Sequence, residues 1–219
     1  MKKLLQGIAD FHHRVRPGVR EAFARLALGQ APDCLFVACS DSRVVPNLFA
    51  STDPGDLFVV RNVGNLVPPC GDGGLSVGDR SEGAAIEFAV LNLGVRDVVV
   101  CGHSECGAMR AMLATRPLPG APNLHDWLHH GEASMRRLEG DPGFGLGLPE
   151  HDRLGQANVL QQLEHLRGYP AVREAMHQGR LRLHGWWFDI AGAEVHAYDA
   201  DLHRFVPLVD RMGPDGALR

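Results

Sequence analysis

Two apolar runs end on side chains that bind metals, and this constrains the chain more than any other feature of its sequence. Cys34-Leu35-Phe36-Val37-Ala38 leads directly into Cys39-Ser40-Asp41-Ser42-Arg43. Some sixty residues later, Val98-Val99-Val100-Cys101 leads into Gly102-His103-Ser104-Glu105-Cys106-Gly107. Short apolar runs rich in β-branched residues read as buried strands. Such a strand that closes on a thiol or an imidazole delivers that group to one end of a sheet.

The segments around these runs alternate in type. Residues 33–39, 56–61 and 97–102 read as strands. The stretch SEGAAIEFAVLNL reads as a helix stopped by Gly94, and ECGAMRAMLA as a helix ended before Pro117. Longer helical patterns follow at Leu124 to Leu138 and His151 to Arg167, with a short one near 170–178. RLRLHGWWFDI and AEVHAYD then read as two strands joined by Ala191-Gly192. The alternation predicts an α/β fold, a mainly parallel central sheet flanked by helices. At 219 residues, 45% hydrophobic, one domain spanning 1–219 is the simplest reading, with an N-terminal helical arm over about residues 1–28 lying on a neighbouring surface.

Charge narrows the partners. A formal net charge of −4 without a long basic run gives no support for nucleic acid or an anionic membrane. No apolar stretch approaches the ~20 residues needed to cross a bilayer. The start, MKKLLQGIADFHHRVRPG, lacks the unbroken apolar core of a signal peptide. Five cysteines in a chain of this length are not a disulfide framework, so a cytoplasmic location is expected. Cys34 and Cys101 read as small core residues, while Cys70 has no assignment. The glycine-rich loop at 71–78 matches neither phosphate-binding pattern and reads as a surface loop.

In an open parallel sheet, ligands gather beyond the carboxyl ends of the strands. Cys39 and His103 stand at two such ends, and Cys106 opens the helix just after His103. Two thiolates and one imidazole suit tetrahedral zinc, and three protein ligands leave a fourth position open, the catalytic arrangement. Two thiolates also cancel the charge of the ion, so water there is acidified less than on a centre with neutral ligands. Asp41 can accept a hydrogen bond from that water, and Arg43 can keep Asp41 ionised. Two other roles exist for Asp41: direct ligation, which would close the site, and a plain loop salt bridge with Arg43.

These motifs resemble the β-class carbonic anhydrases, in the plant-type branch. The likeness rests on CSDSR (39–43) and GHSECG (102–107). It continues in GDLFVVRNVGNLVPP (55–69), GAAIEFAVLNLGV (83–95) and HGWWFDI (184–190). The resemblance implies zinc-dependent, reversible hydration of carbon dioxide to bicarbonate and a proton by zinc-bound hydroxide. It assigns Cys39, His103 and Cys106 as zinc ligands, with one Zn2+ per subunit, and Asp41 with Arg43 as the catalytic dyad. It places Gln30, Gly107, Phe58, Val63 and Phe88 in the substrate pocket, Phe88 standing where some relatives have tyrosine. It further implies a homodimer or a dimer of dimers in which Gln30 and Phe58 reach the pocket of the partner. Phe36, Arg61 and Phe188 match a noncatalytic bicarbonate site of another branch, built there from tryptophan, arginine and tyrosine. Two of its three hydrogen-bonding groups are lacking here, so that inhibitory site is expected to be missing, with Asp41 paired to Arg43 at neutral pH. Alternatives from other classes are a structural or redox-sensing zinc module without catalysis, and a hydrolase of another small heterocumulene such as carbon disulfide.

Overall fold

The computed structural model of the protein describes residues 1–114 and 120–213. Its frame is one six-stranded sheet. The strands are β1 (Cys34–Cys39), β2 (Leu57–Asn62), β3 (Asp97–His103), β4 (Arg182–Asp189), β5 (Glu194–Asp199) and β6 (Arg204–Pro207). Their order is β2-β1-β3-β4-β5-β6. The first four are parallel neighbours, and β5 and β6 add an antiparallel edge. The chain is thus α/β with a mostly parallel sheet, as expected.

Burial follows position in the sheet. Almost every residue of the central strands β1 and β3 is buried, whereas β2 lies at an edge and is only partly covered. Ala38 pairs with Cys101, so Cys39 and His103, one and two residues further on, emerge at the same end. The long helix Glu150–Gly168 crosses β3 and β4, burying Val159, Leu163 and Leu166 against Val98, Val100 and Trp187. Its approach is close because glycines face it. A Cβ on Gly102 would come within 2.7 Å of Val159 Cγ2 and 3.0 Å of the Trp187 ring, and one on Gly155 within 2.7 Å of that ring. This contact brings the first turn of the helix over the end of β3.

Several elements differ from the sequence reading. The helix expected over Leu124 to Leu138 is broken into Pro122–Leu128, a 3-10 turn at His129–Gly131, and Glu132–Gly140. Histidine and glycine are weak helix formers, and Gly131 is needed here because a Cβ would lie 2.5 Å from Met112 Cε. The helix that ends at Gly94 is α over Ser81–Glu87 and π over Phe88–Leu93, with Gly94 left-handed at φ 67°. Strand β6 and the short helix Pro46–Phe49 are additions, each only four residues and too short for a periodic signal. The stop at Pro117 lies outside the described residues, within 115–119, as do 214–219.

The N-terminal arm is helical over Lys2–Asp10 and Arg16–Leu26 with a π turn at Phe11–Val15 between them. None of its residues is buried, so it rests on no core of its own chain. Among the described residues no helix is long and apolar enough to cross a membrane.

Candidate metal centre

The sheet brings Cys39, His103 and Cys106 together. One ligand atom from each lies within 4.8 Å of the others, and all three residues are buried. Cys39 closes β1, His103 closes β3, and Cys106 precedes the helix Gly107–Leu113. Ser104 and Glu105 make the turn between them.

His103 shows what such a cluster is suited to hold. Its Nδ1 lies 2.8 Å from the Ser104 carbonyl, which can only accept, so Nδ1 carries the proton. The lone pair of Nε2 then faces the two sulfurs, and this buried atom has no hydrogen-bond partner. A buried nitrogen left without a partner is costly in a finished protein unless something binds it. The two thiols act on each other. Cys39 is pulled down, first by hydrogen bonding from Cys106, with the backbone N–H of Gly64 acting the same way. Cys106 is pushed up by the same contact with Cys39, then by burial, against the N–H groups of Met109 and Ala108. Two buried sulfurs beside an unpartnered imidazole nitrogen match the donor set for a soft or borderline dication.

Asp41 stands beside this cluster, its Oδ2 3.9 Å from His103 Nε2. Arg43 grips it through a fork, Nε to Oδ1 at 2.9 Å and an NH2 nitrogen to Oδ2 at 2.7 Å, with its own backbone N–H adding 3.0 Å to Oδ1. These bonds from Arg43 hold the Asp41 carboxyl well below the usual carboxylate range. The same guanidinium donates to the Glu105 carbonyl at 3.1 Å, so it ties the Asp41 loop to the turn between His103 and Cys106.

Other residues that frame the site carry no signal in the spacing of the sequence. Arg61 donates to the Cys39 carbonyl at 3.0 and 2.8 Å and to the Asp41 carbonyl at 2.7 Å, fixing where the loop leaves β1. Gly64, at φ +85°, points its N–H at Cys39 Sγ, 3.4 Å away. That loop is held from behind by fully buried amides. Asn158 donates to the Gly64 carbonyl at 3.1 Å, Gln162 donates to Asn158 Oδ1 at 2.8 Å, and Val67 donates to Gln162 at 2.9 Å. Strand pairing alone hinted at one of these, since Arg61 sits opposite Ala38.

The residues expected in a substrate pocket divide into two groups. Gly107 begins the helix beside Cys106, and a Cβ there would meet nothing within 4 Å, so its backbone faces open space. Val63 is half-exposed next to Gly64, its carbonyl accepting from the Trp127 indole at 2.7 Å. Phe58 and Phe88 pack together, ring centres 5.8 Å apart, away from the cluster. Phe58 pairs with Leu35, four residues or about 13 Å down the strand from Cys39. Gln30 is exposed in the connection after the arm. Within one chain Phe58 and Phe88 do not join the cluster. Phe36 and Phe188 are buried side by side with Ala38 and Val99, as core residues.

A second trio, Glu105, His151 and Asp152, also brings ligand atoms within 4.8 Å. Arg110 bonds Glu105 there and approaches His151 Nε2 to 3.3 Å, so a guanidinium already supplies the positive charge.

Comparison with known proteins bears on this geometry. Residues 34–195 match the sequence profile of the family described as Carbonic anhydrase. The chain is similar to a carbonic anhydrase of Pseudomonas aeruginosa, 43% identical over 96% of this chain and 93% of that protein. Its structure is similar to that of the β-carbonic anhydrase CcaA, with a TM-score of 0.87 and 41% identity over 94% of this chain and 98% of the other. It is also similar to one of the tetrameric β-carbonic anhydrases of Sordaria macrospora, with a TM-score of 0.76 and 30% identity over 90% of this chain and 95% of the other.

Proposed function

The chain belongs to the β-class carbonic anhydrase family, and from that premise we propose that Cys39, His103 and Cys106 hold a zinc ion at which carbon dioxide and water interconvert with bicarbonate and a proton. The observation that carries the reading is the buried His103 Nε2, unpartnered and grouped with the sulfurs of Cys39 and Cys106 within 4.8 Å. What zinc contributes when held by two thiolates and an imidazole is Lewis acidity toward water.

The rest falls to the side chains. Asp41 accepts a hydrogen bond from the reacting water on a lone pair that the Arg43 fork leaves free, and so aims the oxygen. It cannot keep the proton that the reaction releases, because Arg43 holds it far too acidic. The proton therefore leaves to solvent or buffer. Arg43 has a second duty, since by holding Asp41 it keeps the carboxylate off the metal. Carbon dioxide is uncharged and small, so an apolar wall with one or two donors suffices to place it. The N–H of Gly107, at the start of its helix, is the donor we assign to a substrate oxygen.

We assign Phe58, Phe88 and Gln30 to the pocket of a second copy of the chain. Support comes from the distance of Phe58 and Phe88 from the cluster in their own chain, from the exposure of Gln30, and from the half-exposed apolar side chains of the arm, Leu4, Leu5, Ile8, Phe11 and Val15. A homodimer, or a pair of dimers, covers both.

The test is stopped-flow hydration of carbon dioxide beside a zinc count, before and after a chelator. One zinc per chain and activity that is lost and restored with it are expected. Equal rates with and without metal would refute the assignment.

A further inference from the structure

Only Ser104 and Glu105 separate His103 from Cys106, and the turn they form has a cost. Glu105 lies at φ 59°, in the left-handed region that residues with a side chain rarely adopt. Such a conformation persists where surrounding bonds hold it. Each polar group of the turn is held. Ser104 donates its N–H to the Phe188 carbonyl at 3.0 Å and its hydroxyl to Asp189 at 3.1 Å, and it accepts from the Ile190 N–H at 2.9 Å. The Glu105 carbonyl accepts from Arg43. The Glu105 N–H goes to Asp152 Oδ1 at 2.7 Å.

Asp152 differs from the other partners. It arrives from the first turn of the helix Glu150–Gly168, and its side chain is only 8% exposed. That helix is seated against β3 and β4 by Gly102, Gly155 and Trp187, so its first turn is a rigid point of attachment. We propose that Asp152 is a positioning residue of the metal centre: by accepting the Glu105 N–H it locks the left-handed turn that swings Cys106 Sγ back toward Cys39 and His103. The role needs an acceptor at Oδ1 rather than a negative charge, and Asp152 touches neither metal nor substrate. The inference rests on the metal reading above and adds to it a residue 46 positions from the nearest ligand, counted from Cys106 to Asp152.

The test uses the cobalt(II)-substituted protein, whose sulfur-to-cobalt absorption bands report ligand geometry without reference to turnover. Asp152→Ala should alter those bands and speed metal loss to a chelator by about 10–100-fold, the range seen when outer partners of metal ligands are removed. Asp152→Asn keeps an oxygen acceptor and should restore most of the wild-type spectrum and retention. In the wild-type protein the single amide of Glu105 should exchange its hydrogen slowly. Unchanged bands and retention in Asp152→Ala, equal damage in Asp152→Asn, or fast exchange at the Glu105 amide would each overturn the proposal. Should the alanine variant not fold, the amide exchange decides alone. A wild-type chain that takes up no cobalt would overturn the metal reading instead, and the exchange measurement still decides whether Asp152 locks the turn.

Discussion

Replacing Arg43 by methionine tests whether the fork on Asp41 keeps the site open. The change removes two charge-assisted bonds, at 2.9 and 2.7 Å, and leaves Asp41 Oδ2 3.9 Å from the nitrogen of a metal ligand. A rotation of the Asp41 side chain would then carry that oxygen onto the metal. Hydrogen bonds to charged groups are worth about 1.5–3 kcal/mol each. The Arg43 side chain is 47% exposed, so water replaces much of what is lost. A net bias of about 2 kcal/mol toward the closed form follows, or about 30-fold in its equilibrium. Asp41 is ionised at pH 7.5 with or without Arg43, since even a free aspartate titrates near ~3.9, so its charge does not change. The assay is azide binding to the cobalt(II) protein at pH 7.5, followed by visible absorption. Azide should bind more weakly to Arg43→Met, with about 30-fold as the ceiling set by the equilibrium shift, kcat/KM should fall at least as much, and metal content should hold. Undiminished azide affinity would refute the reasoning, because an open corner would then not depend on the fork.

Three further outcomes are expected. Zinc uptake near pH 7 should release fewer protons from the sulfurs than two independent thiols would, because the contact between them lowers Cys39 toward the thiolate while raising Cys106. Calorimetry in buffers of different ionisation heat would count them, and two independent thiols near ~8.5 would instead release almost two. Gly64→Ala must place a side chain at φ +85° with its Cβ 2.9 Å from Ala108 Cβ, which should cost about 1–3 kcal/mol in urea unfolding and loosen metal retention. Gly102→Ala drives a methyl to 2.7 Å from Val159 Cγ2 and should cost about 1–3 kcal/mol, read by the same unfolding assay.

The parts of the site legible in the sequence are those encoded by short-range order. An apolar run that stops on Cys39, another that stops just before His103, and Arg43 two residues from Asp41 all declare themselves within a few positions. The supports do not. Arg61, Asn158, Gln162 and Asp152 act through backbone groups that lie far off in the chain, and a hydrogen bond to a carbonyl leaves no periodic trace. The same holds for Gly131, where Met112 leaves no room for a side chain. Phe58 and Phe88 are a different case: their spacing is visible, yet their place in a pocket needs a surface that one chain does not contain.

The three ligands stand at the ends of β1 and β3, Cys39 and Cys106 packed among Leu66, Ala108, Met109 and Leu154, and the segment joining Cys39 to Cys106 runs to more than sixty positions. Closing so long a loop is entropically costly for an unfolded chain, and the sheet meets that cost before any ion is needed. If zinc binds as proposed, stripping it should silence the site while the sheet-built fold stays in place, so that the ion could be returned without refolding.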